Sequence, residues 1–168
     1  AARAEVFLAG DQVVTNAAGT SYPAQRTLVH RVTDPADASL HEEIVGEDGQ
    51  GGVDELDLTG TIDADARTFT LTFVDAYGRL DGVGELEGDA WEWSAWSTRT
   101  EYADGPYVGS YIVSEDTLDE VGLVAHKEVF TPDDVFEVEI DETLVQVEEA
   151  DWRAEANSMV AASRSTAR

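Results

Sequence analysis

The chain has 168 residues, 42% of them apolar, and carries 36 Asp and Glu against 10 Lys and Arg, a net charge of −26. Length and apolar content suit one domain, 1–168, with a single core. The charge excludes nucleic acid and anionic membrane surfaces as partners, because either would need a basic patch to displace counterions.

Zero cysteines exclude disulfides, thiolate catalysis and zinc sites built on sulfur. Lys127 is the one lysine and the other cations are arginines, a bias that suits an acidic surface selected for solubility, including in high salt. An ordinary acidic protein from an arginine-favouring genome is the plainer account. No stretch reads as a transmembrane helix. Ala1-Ala2-Arg3-Ala4 fits the remnant of a removed signal, and the compartment stays open.

From about Gly10 to Val147, short alternating segments broken by turn residues predict an antiparallel all-β domain. In chain order, strands are expected around Gln12–Thr15, Gln25–Thr33, Leu40–Val45, Glu55–Ile62, Thr68–Val74, Arg79–Glu87, Ala90–Thr100, Tyr107–Val113, Leu123–Phe130 and Val135–Val147. Between the third and fourth lies a glycine- and acid-rich loop, Gly46–Asp54.

Residues directly opposite in an antiparallel pair share a face, so three hairpin registers can be tested. A loop at Ala64–Arg67 sets Ile62 against Phe69, Gly60 against Leu71 and Leu58 against Phe73, with Thr59, Thr61, Thr70 and Thr72 on the other face. A two-residue Gly88-Asp89 turn sets Leu86 against Trp91 and Gly84 against Trp93, leaving Glu85, Glu87 and Glu92 outside. A turn at Pro132-Asp133 sets Val129 against Phe136, Lys127 against Val138 and Ala125 against Ile140, with His126, Glu128, Glu137 and Glu139 outside. Lys127 therefore falls among apolar residues. A slip of one residue would bury several carboxylates at several kcal/mol each, which favours the apolar-in registers.

A meander of about 8–10 strands with one polar face closes into a barrel, and a barrel of that size can hold a small ligand. A packed sandwich is the alternative. After the barrel, 7–147, the alanine-rich stretch 148–163 predicts one amphipathic helix that buries Trp152, Ala156, Met159 and Val160, packed on the barrel or across a mouth. The tail 164–168 is expected to fray.

Phe7-Leu8-Ala9-Gly10, the segment Gly60–Asp63 leading into Thr68–Phe73, Val74–Gly78 and Gly84–Trp91 together resemble uncharacterised bacterial lipocalin-like domains of the calycin type, over most of Phe7–Val147. Asp11-Gln12-Val13 departs from that pattern, which usually carries a tryptophan soon after the first glycine. The resemblance implies a barrel and a small apolar or amphipathic ligand, and it carries no catalytic residue to transfer.

The expected cavity lining is Leu58, Phe69, Phe73, Trp91 and Trp93 with Leu86, Tyr107 and Tyr111, since aromatic rings can stack on a flat ligand. A filled core is the plainer use for the same rings. Gly60, Gly82 and Gly84 would leave room beside them or mark bends. Lys127, costly inside an apolar cavity unless it meets a carboxylate, would anchor the head of a fatty acid or another organic anion; at a rim its stem would reach water. His30, His41 and His126 lie on separate strands and would form a metal or general-base site only if closure gathered them. Asp63 with Asp65, or Asp48 with Asp54, match no calcium loop, and Ser110 lacks a nucleophile elbow.

The leading expectation is a binder of a small hydrophobic or amphipathic, even anionic, molecule, with no cofactor or metal and with an undetermined oligomeric state. The alternatives are an enzyme that uses the cavity, with His30, His41 or Lys127 as acid or base, and an acidic interaction domain with a filled core beside an aromatic patch at Tyr102, Pro106 and Tyr107.

Overall fold

A computed structural model, describing residues 2–166, closes ten antiparallel strands into one barrel and adds one helix. The strands are β1 (Ala4–Asn16), β2 (Gln25–Asp34), β3 (Ser39–Glu47), β4 (Val53–Asp63), β5 (Thr68–Asp75), β6 (Gly78–Gly88), β7 (Trp93–Tyr102), β8 (Tyr111–Leu118), β9 (Gly122–Phe130) and β10 (Phe136–Gln146), followed by α1 (Glu149–Thr166). Each strand pairs with its neighbours in sequence, and β10 returns to β1, so no edge is left to recruit another chain.

The β4–β5 register sets Ile62 opposite Phe69 and Gly60 opposite Leu71, as the alternation predicts, with the four threonines exposed. Two other hairpins differ. Asp89 Oδ1 accepts from the backbone N–H groups of Trp91 and Glu92, holding 89–92 as a turn, so the connection is longer than Gly88-Asp89. Leu86 then opposes Trp96 and Gly84 opposes Thr98, five residues on from the expected partners, and a bulge beside Gly88 turns Trp93 inward as well. At β9–β10 a bulge between Phe136 and Val138 moves the register by two, so Val129 meets Val138, Lys127 meets Ile140 and Ala125 meets Glu142. An even shift keeps each residue on its face and changes only its neighbours.

β1 is far longer than the expected Gln12–Thr15, and β8 begins at Tyr111 because 103–110 forms a loop. In α1, which extends through Thr166, Trp152 and Ala156 are buried, with Met159 and Val160 packed beside them. Of the tail expected to fray, residues 164–166 are helical and 167–168 lie outside the described residues, as does Ala1. The helix lies on the outer wall, against Phe7, Ala9, Leu28, Val45 and Val53 of the first four strands. Trp152 Nε1 donates to Leu8 O at 3.2 Å, and Arg26 holds Glu155 with two bonds of 2.8 Å.

Candidate ligand-binding cavity

Strand parity sorts the interior into three zones. Toward the end formed by the 34–39, 63–68 and 118–122 connections, Leu8, Leu40, Ile62, Phe69, Leu86, Trp93, Trp96, Leu123 and Leu144 pack as a closed apolar floor. Gly84 belongs to this packing: a Cβ there would stand 2.2 Å from Phe69 Cζ, so the absent side chain is the space that the ring fills. Gly82 likewise lies under Leu71.

Above the floor is a layer of charge. Arg31 lies flat against Trp96 and Trp93, its guanidinium carbon 4.1 and 4.6 Å from the ring centroids. Its Nε donates to Glu42 Oε1 at 2.7 Å and its Nη2 stands 2.5 Å from the same oxygen, while Nη1 is buried with no hydrogen-bond partner among the described residues. Lys127 Nζ meets Glu142 Oε1 at 2.7 Å, and the Ser114 hydroxyl donates to Asp116 Oδ1. Burial would lower the Lys127 pKa, but Glu142, Asp116 and Glu42 outweigh it and hold the ammonium above its ordinary value. Burial pushes the Asp116 carboxyl up, against the opposing pull of Lys127 and the Ser114 bond.

The third zone is the open part of a cavity of about 330 Å³ in all, whose lining also takes in the charged groups and floor residues such as Trp93 and Leu123; its walls include Ile44, Leu56, Leu58, Leu71, Phe73, Ile112 and Ile140, and it reaches Glu47, Asp54 and Asp75 at the opposite end of the barrel. Glu47 and Asp54 are exposed, which places the mouth in solvent. The Asp54 carboxyl is raised above its ordinary value, through partial desolvation first and then the nearby charges of Asp48 and Asp75. Asp75 accepts a hydrogen bond from the Tyr102 hydroxyl, and burial with this bond raises the phenol pKa. Lys127 keeps 31% of its side-chain surface although protein surrounds it, because that surface faces the cavity.

Of the expected lining residues, Leu58, Phe69, Phe73, Trp93 and Lys127 border this cavity. Trp91 does not: the longer turn leaves it over a separate recess of about 430 Å³ at the floor end, where its carbonyl accepts from Thr33 Oγ1 at 2.6 Å. Tyr107 lies on the 103–110 loop, half exposed and 5.2 Å from the Tyr77 ring. Tyr111 points outward, because the inward positions of its strand are Ile112, Ser114, Asp116 and Leu118; it stacks on Phe130, lies under Arg99 and donates to Asp134 at 2.7 Å.

The three histidines face away from the cavity. His30 is buried under the helix, stacked on Phe7 at 4.1 Å with Nε2 2.6 Å from Glu5. His41 lies 3.4 Å from Asp57 and His126 lies 2.7 Å from Asp141. Asp48 and Asp63 spend their carboxylates on the backbone of their own turns.

The charge layer, other than Lys127, escaped the sequence reading. Its signal was parity: Arg31 between Val29 and Thr33, Glu42 between Leu40 and Ile44, Asp116 between Ser114 and Leu118, and Glu142 between Ile140 and Leu144 all sit at inward positions. No family model, curated protein or solved structure matches this chain.

Proposed function

We propose that this protein is a lipocalin-like carrier or sensor barrel that holds one small amphipathic molecule in its interior. The observation that carries this reading is an apolar-walled cavity of about 330 Å³ ending on a layer of buried charge. Pockets of this kind take their affinity from apolar burial and their orientation from a few convergent polar groups. With ten strands the barrel is wider than an eight-strand lipocalin, and the larger circumference accommodates Arg31, Glu42, Asp116, Lys127 and Glu142 beside the apolar wall.

Lys127 is not the lone anchor of an anion, since Glu142 already neutralises it at 2.7 Å. The polar end of the ligand would meet the whole charge layer, with the apolar end toward the mouth. Titration with the uncharged fluorescent probe N-phenyl-1-naphthylamine tests the reading. One probe per chain should bind with enhanced emission, and Ile112→Trp, which fills the cavity, should abolish it. A chain that shows no enhancement, or an Ile112→Trp variant that binds as well as the parent, would overturn it.

A further inference from the structure

The charge layer specifies the sign of the ligand, given that the cavity binds one. It holds three carboxylates, Glu42, Asp116 and Glu142, against two cations, Arg31 and Lys127. Glu42 is taken by Arg31 and Glu142 by Lys127, both at hydrogen-bonding distance. Asp116 is left over: it is 8% exposed, borders the cavity, and is bonded to the neutral Ser114 hydroxyl, and among the described residues it has no ion-pair partner within 4.0 Å. Among the described residues, the two exposed ones that line the cavity, Glu47 and Asp54, are both acidic and share its mouth with half-buried Asp75, so cations are concentrated there and anions repelled.

We propose that the cavity takes an organic ammonium ion, whose head pairs with Asp116 and completes the charge balance of the layer while its hydrocarbon body lies against Phe73, Ile112 and Ile140. The unpartnered Nη1 of Arg31 suits an uncharged oxygen beside that head, because a carboxylate there would stand against Glu42 and Asp116. The raised pKa of Asp116 fits the same account: burial disfavours its ionised form, and an ammonium beside it would favour that form.

The inference rests on the binding-barrel reading and is tested separately from it. Octylammonium, 1-octanol and octanoate are compared as competitors of N-phenyl-1-naphthylamine near neutral pH, in about 1 M NaCl, where a screening length of about 3 Å removes attraction to the acidic exterior. Octylammonium is expected to displace the probe at about one tenth the concentration of 1-octanol, with octanoate weakest. In Asp116→Asn octylammonium should lose its advantage over 1-octanol. Calorimetry on the parent protein in buffers of different ionisation enthalpy adds a readout that needs no variant: octylammonium should release protons at mildly acidic pH and 1-octanol none. Equal or better displacement by octanol or octanoate, a preference kept in Asp116→Asn, or ammonium binding without proton release would overturn the ammonium assignment and leave the cavity reading intact. Failure of the probe itself to bind would overturn the cavity reading.

Discussion

Lys127 shows what decides the fate of one charge inside a barrel. Its strand position faces inward whichever of the two registers holds, but only the observed register brings Glu142 to 2.7 Å. Removing one partner strands the other, so Lys127→Met should cost about 3–5 kcal/mol of unfolding free energy in urea, and the double variant Lys127→Met, Glu142→Leu should recover most of it. A double variant as unstable as the single would mean that the pair matters through packing rather than charge. On the outer face, Asp141 and Glu128 hold the His126 imidazolium above its ordinary pKa. A raised folded value stabilises fully below the unfolded pKa of about 6.5 and fades as pH climbs through the folded one. His126→Gln should therefore lower the urea midpoint near pH 5.5 relative to the parent, with the difference gone near pH 9. The effect is small, because 43% of the side chain is exposed.

At the scale of elements, α1 and the first four strands form a second, smaller core outside the barrel wall. This explains why β2 reads Thr27-Leu28-Val29-His30, buried at four successive positions, where one polar face was expected: the helix covers the outward side. Trp152, 2% exposed, is the centre of that core. Trp152→Ala should cost about 3–5 kcal/mol and flatten the near-ultraviolet circular dichroism of the tryptophans, since it empties a large site and frees the Leu8 carbonyl. Arg26→Gln, at a pair more than a third exposed on each side, should change stability by about 1 kcal/mol or less. Equal losses from the two would mean that the ion pair rather than the tryptophan docks the helix.

For the whole molecule the governing quantity is the net charge of −26 on one small barrel. Self-repulsion of that size destabilises the compact state, so raising NaCl from about 0.01 to about 1 M, which shortens the screening length from about 30 to about 3 Å, should raise the Tm measured by calorimetry. A Tm that stays level or falls would show that the charges are spaced widely enough not to oppose folding. The sequence alone determined an antiparallel meander of about 8–10 strands, the inward placement of Leu58, Phe69, Phe73 and Lys127, and the buried side of the helix, because period-two and period-3.6 patterns record which side of each element meets water. The tertiary structure alone decided how the strands slide against one another. The long turn held by Asp89 brought Trp96 inward and dismissed Trp91 to a recess, and the parity of β8 left Tyr111 outside. It also decided which buried charges find partners, since closure of the barrel sets Arg31 of β2 against Trp96 of β7 and the shifted β9–β10 register brings Lys127 to Glu142. Registers depend on turns and bulges whose geometry is fixed by a few hydrogen bonds, and alternation cannot register them: an even slip leaves every face unchanged while exchanging every neighbour.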